Sequence, residues 1–184
     1  GGGGGGFRGG GGGFGGGGRG QGGGRLQFAV YHTLHFTDDV LVANGGPRLD
    51  LLRGDTIGTG GGQPRHEIEA QGGYNNNGLG VRLSANWQSA TIVNGGTAAN
   101  PDPLRFSDLG TVNLRFFADL GQQLKLIKAH PFFRGTRVTL GITNLFDARQ
   151  KVTDIDGLTP TAYQPGYLNP LGRTVRVSLR KLLF

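Results

Sequence analysis

Arg82, Arg115, Arg137 and Arg176 fall on the polar parity of four separate alternating segments, and Glu67, Glu69 and Asn86 take the same parity of theirs. Charges repeated on one wet face suit either wall residues that pair with one another or with a neighbouring segment, or direct contact with a solute. The two glutamates could instead neutralise neighbouring arginines across strands. Other constellations are poor. His32 and His35 are three apart, which on a strand sends them to opposite faces, and His66 beside Glu67 and Glu69 meets the same obstacle. Asp154 and Asp156 have no EF-hand spacing after them, and Asp38-Asp39 is a strand-end charge pair. No Gly-x-Ser-x-Gly step or phosphate loop with its lysine occurs, and the chain has no cysteine. Catalysis, a cofactor and a metal are therefore not expected.

The elements that must carry these residues are β-strands. Arg25 to Thr37 places Leu26, Phe28, Val30, Leu34 and Phe36 on one parity and Gln27, Tyr31, Thr33 and His35 on the other. Arg65 to Tyr74 is weaker, with Ile68, Ala70 and Tyr74 against Glu67, Glu69 and Gln71. Leu79 to Gln88 is the cleanest: Leu79, Val81, Leu83, Ala85 and Trp87 oppose Arg82, Ser84, Asn86 and Gln88. Thr111 to Asp119, Arg137 to Thr143 and Thr174 to Lys181 repeat the alternation. The expectation is an all-β chain, an antiparallel meander of about six strands, each near the roughly 9–11 residues of a tilted membrane strand. An arginine facing lipid near the midplane costs about 2–4 kcal/mol, and this parity spares the chain that cost by turning all four inward.

The connections are asymmetric. Asn75-Asn76-Asn77-Gly78 is a tight turn, because Asn and Gly accept positive φ cheaply. Asn44 to Gln63, Asn94 to Asp108 and Asp154 to Gly172 are long, polar and rich in Gly, Pro, Asn and Asp. A meander puts these three at one end and the Asn-rich turn at the other, as in outer-membrane barrels. Leu120 to Gly135 falls at the short-turn end yet is long and carries Leu124, Leu126, Ile127, Phe132 and Phe133, so a short helix or rim-hugging segment is expected there. Trp87, Phe36, Tyr163 and Tyr167 suit interfacial aromatic belts, although the two tyrosines also suit loop packing beside Pro165 and Pro170.

Residues 1–24 form a second region, nearly pure glycine broken by Phe7, Arg8, Phe14, Arg19 and Gln21. With so few side chains the tract cannot offset its ordering entropy and reads as a disordered linker. Together with the net charge of +7 it also raises a rival, a Gly-rich basic nucleic-acid-binding protein, but the tract holds only Arg8 and Arg19. A further rival is a small β-sandwich or barrel acting as an adhesin. No charged-then-apolar leader is visible, so an exported parent would carry its signal upstream, and the chain is read as a fragment.

Four stretches are more particular: Arg25-Leu26-Gln27-Phe28 through Tyr31-His32-Thr33, Gly80 to Trp87, Asn144-Leu145-Phe146-Asp147, and Gly172 to Phe184. Over 25–184 the chain resembles the C-terminal barrel portion of TonB-dependent outer-membrane receptors. That resemblance implies a barrel of about 22 strands around an N-terminal plug. It also implies a place in a Gram-negative outer membrane, drive from the TonB complex, and uptake of a siderophore, vitamin, saccharide or similar solute. The partners would be membrane lipid, the plug, the remaining barrel strands and the solute. On that likeness Asn144, Leu145, Phe146, Asp147 and Phe184 are the motif residues, and Glu67, Glu69, Arg82, Asn86, Arg115, Arg137 and Arg176 face the lumen. One departure is local. Val175, Val177 and Leu179 are odd-numbered and Phe184 is even, so Leu182-Leu183 holds a bulge or the last residue turns inward.

Overall fold

A computed structural model describes residues 23–57, 61–97 and 99–183. The expectations for the glycine tract before Gly23 and for Phe184 lie outside the described residues. Six long strands form one antiparallel sheet in sequential order: β1 (Arg25–Leu34), β2 (His66–Asn76), β3 (Leu79–Gln88), β4 (Leu109–Asp119), β5 (Thr136–Thr143) and β6 (Thr174–Lys181). The all-β meander expected from alternation is present, with strand ends shifted by three residues at most. The fully pleated spacing of side chains lets one register run straight through the sheet.

That register sorts the faces into rows. Leu26, Tyr74, Val81, Phe116, Leu140 and Val177 lie side by side across all six strands. The next row is Phe28, Gly72, Leu83, Leu114, Ile142 and Val175. Among the described residues no helix or second sheet covers either row: Phe28 is 76% exposed, Leu83 43% and Val177 70%. A water-soluble sheet buries such a face against another layer. Here the buried apolar side chains among the described residues are Phe106 and Val152, and both sit in the loops.

The connections separate by length as the sequence implied. At one end β2 and β3 are joined by Asn77 (φ 45) and Gly78 (φ 78), both left-handed, as a two-residue type I′ turn requires. At the same end, residues 120–135 wind through two short 3-10 turns and the helix α1 (Leu124–Ala129), which supplies the short helix expected there. Lys181 Nζ donates to the carbonyls of Phe132 and Arg134, and the Leu182 N–H donates to the Gly135 carbonyl at 2.9 Å. The end of β6 is thus tied to the segment 132–135.

The three long connections at the other end are more ordered than polar loops. Thr91–Val93, Leu104–Phe106 and Val152–Thr153 form a separate three-stranded sheet, and Asp39–Leu41 pairs with Arg48–Asp50. The connections also grip one another. The Asn94 N–H donates to the Gly54 carbonyl at 2.8 Å, and the Ser107 N–H to the Lys151 carbonyl at 2.8 Å. Phe106 is met edge-on by Tyr163 at 5.7 Å, so Tyr163 belongs to loop packing while Tyr167 remains exposed. Val152, Phe106 and Tyr163 make a small hydrophobic nucleus from two different connections.

Candidate functional site

The polar face is the candidate site, and register decides its layout. Gln27, Gly73, Arg82, Arg115, Gly141 and Arg176 form one row across the sheet. Arg82 and Arg115 are direct cross-strand partners, a like-charge pair that is unfavourable unless something neutralises it. One row nearer the hairpin end, Gly80, Phe117, Thr139 and Ser178 lie abreast. Beyond them Asp119, Arg137 and Arg180 share the next row. The guanidinium of Arg137 stands 5.2 Å from the Phe117 ring centre and that of Arg82 stands 5.8 Å away. One aromatic ring therefore serves two cations, holding them by its quadrupole.

The glutamates do not neutralise the arginines, against the expectation from sequence. Glu69 is the register partner of Tyr31 and Asn86, and Glu67 of Thr33 and Gln88, towards the loop end. Glu69 and Gly73 are four residues apart on β2, so the acidic row lies about 13 Å up the sheet from the Arg82 row. Glu67 takes His35 instead, at 3.4 Å, and Glu69 accepts from the Gln71 side-chain amide. Asp119 is spent on its own turn, accepting from the Gly121 N–H at 3.1 Å. Among the described residues no carboxylate forms a salt bridge with Arg82, Arg115, Arg137 or Arg176. Negative charge gathers at the loop end and positive charge at the middle and hairpin end.

An open concavity of about 790 Å3 follows this face. Arg25, Tyr31, Glu69, Arg82, Asn86 and Arg115 are among its walls, with Gly73 and Gly141 in its floor. The structure thus brings Arg82 and Arg115 together with Phe117, places Arg176 across Gly141 and keeps Arg137 on the far side of Phe117, while Glu69 and Asn86 line the loop end of the same concavity and Glu67 lies outside it. Phe117 was missed by sequence reasoning, although its parity with Arg115 and Asp119 already put it on the polar face.

The Asn144–Asp147 motif is a tie at the loop end. Asn144 (φ 52) is 4% exposed, and its side chain spans Ala148 in both directions, donating to the carbonyl at 2.8 Å and accepting from the N–H at 2.9 Å. Its own N–H donates to Asn113 Oδ1 at 2.9 Å, and the Leu145 N–H donates to the Val112 carbonyl at 2.7 Å. Asp147 Oδ1 accepts from the Arg173 N–H at 2.8 Å and lies 3.6 Å from the Arg149 guanidinium. Gly172 (φ 53) leaves room for this tie, because a Cβ there would lie 2.4 Å from Asp147 Oδ1 and displace that side chain. The motif joins the ends of β4 and β5 to the start of β6. Leu145 lends its carbonyl to the Arg173 guanidinium at 3.3 Å, whereas Phe146 projects outward, largely exposed.

The histidines fall as their spacing required, with one addition. His32 is on the apolar face and His35 on the polar one. His32 Nε2 lies 3.2 Å from His66 Nδ1 with the rings stacked, a pair that only the β1–β2 register creates. Among the described residues no group of three metal-capable side chains occurs. Trp87 stands on the apolar face towards the loop end, its indole N–H donating to Asp108 at 3.1 Å. No family model, curated protein or solved structure matches this chain.

Proposed function

We propose that this chain supplies part of the wall, the extracellular loops and the closing strand of a TonB-dependent outer-membrane transporter. The observation that carries the reading is the uncovered apolar face. Two rows, large aliphatic and aromatic side chains at every position but Gly72, cross six strands with no helix or second sheet among the described residues packed on them, while the opposite face is polar and basic. Hydrocarbon on one side and a wet lumen on the other accounts for both faces at once. Long connections at one end and a tight turn plus a rim segment at the other support the same orientation, with the interlocked loops outside. The outer edges of β1 and β6 are unpaired among the described residues, as strands do that continue into a larger barrel. Uptake itself belongs to the whole receptor: loops capture a solute, and movement of the plug, driven through TonB, admits it. Transport by this segment alone is not expected.

Trp87 gives a direct test, because it is the only tryptophan and stands on the apolar face. The chain is refolded into phosphatidylcholine vesicles containing lipids brominated at defined depths. Strong quenching from the shallow positions, in the leaflet interface, is expected. A monomer that stays soluble without detergent, with Trp87 unquenched at every depth, would turn the assignment towards a self-contained β-protein such as an adhesin.

A further inference from the structure

Gly141 lies in the floor of the polar-face concavity, between two arginine-bearing strands. Its register partners are Arg115 on one side and Arg176 on the other. Two residues away along β5 lie Thr139 and Thr143, whose own partners on β6 are Ser178 and Thr174. A Cβ added at Gly141 would come within 4 Å of nothing but the Arg176 carbonyl, at 4.0 Å, so the floor is open. The strands bearing Arg115 and Arg176 are two sheet spacings apart, about 9–10 Å. That gap admits a carboxylate or phosphate group between two guanidiniums. Among the described residues, neither arginine has a carboxylate partner, and none of the four hydroxyls hydrogen-bonds to another protein group. Two guanidiniums and four hydroxyls thus flank Gly141 in the register.

We infer that the Gly141 recess binds a small anionic solute, taking one carboxylate or phosphate group between Arg115 and Arg176, with Arg82 as the reserve charge beside Arg115. The inference rests on the lumen-facing reading and narrows the solute to one that carries negative charge. Glycine at this position is what makes room. Its φ is not left-handed, so a branched side chain fits the strand and fills the recess without backbone strain. Arg82 and Arg115 repel each other when the recess is empty and share the ligand's charge when it is full.

The test is calorimetric titration of the full chain, folded in zwitterionic detergent, with citrate and with pyrophosphate at matched ionic strength. Saturable binding of either probe, weakened at least tenfold by Gly141→Val and by Arg115→Gln or Arg176→Gln, is the expected result. Arg53→Gln removes an equal charge in the loops and is expected to leave binding unchanged. Citrate alone, pyrophosphate alone or both would assign the recess to carboxylates, to phosphates or to anions generally. Absence of saturation by both probes overturns the inference, as does undiminished binding in Gly141→Val with its circular dichroism intact. An Asp/Glu-rich peptide that saturates where both small anions fail overturns it too, pointing to a protein segment as the occupant. Trp87 quenching keeps the two readings separate: quenching without anion binding sinks the recess alone, and anion binding without quenching sinks the membrane assignment alone.

Discussion

Asn144→Ala is expected to destabilise the sheet by about 3–4 kcal/mol. Two side-chain hydrogen bonds to Ala148, at 2.8 and 2.9 Å, are lost from a residue that is 4% exposed. At about 1 kcal/mol net for each, they contribute roughly 2 kcal/mol. Alanine must also hold the left-handed φ of 52, which adds about 1–2 kcal/mol that asparagine largely escapes. Asn144→Gly separates the two parts. It keeps the backbone geometry, loses the same hydrogen bonds, and gains unfolded-state entropy worth about 0.5–1 kcal/mol, for a total near 2.5–3 kcal/mol. Phe146→Ala, two residues on, removes a largely exposed ring and is expected to stay within about 1 kcal/mol. Urea unfolding in detergent, followed by circular dichroism and extrapolated linearly, measures all three. An Asn144→Ala protein within about 1 kcal/mol of the parent would refute the claim that the Asn144 side chain locks the turn to Ala148.

Three further changes probe other parts of the molecule. Leu83→Arg, in the second apolar row on a central strand, is expected to cost about 2–4 kcal/mol on refolding into vesicles, whereas Asn86→Arg, beside Glu69 on the polar face, stays within about 1 kcal/mol; equal costs would argue against lipid on the first face. Phe106→Ala empties the nucleus beneath Tyr163 and is expected to cost about 3–5 kcal/mol, read as rapid protease cleavage within the long connections while the six strands stay protected. Gly80→Ala places a Cβ 2.1 Å from the Phe117 ring, so about 1–3 kcal/mol of overpacking is expected in urea titrations, and a neutral result would mean that Phe117 does not lie over β3.

Alternation is a local property of extended chain, and it was legible wherever the two solvents differ. Leu79 to Gln88 reads as a strand with two unlike faces without reference to any other segment. The Asn77-Gly78 turn was equally readable, because positive φ at both positions narrows the residue choice. The rim helix was legible from the apolar residues of 120–135. Less was visible in the long connections. Their polar and glycine-rich composition hid the strands Leu104–Phe106 and Val152–Thr153, which exist because separate loops meet and bury Phe106 and Val152 together.

By itself, then, the sequence determined which residues share a face, how many long strands form, and which connections lie at each end, since pleat and turn chemistry act within a few residues. Only the tertiary structure decided which side chains are neighbours. Parity put Glu67, Glu69 and the arginines on one face, but cross-strand register set the Glu69 row about 13 Å from the Arg82 row, and among the described residues no salt bridge joins Arg82, Arg115, Arg137 or Arg176 to a carboxylate. The same register stacked His32 on His66, set Phe117 between two guanidiniums, and centred Arg115, Arg176 and four hydroxyls on a glycine. Register is a relation between distant segments, so no single stretch of chain contains it.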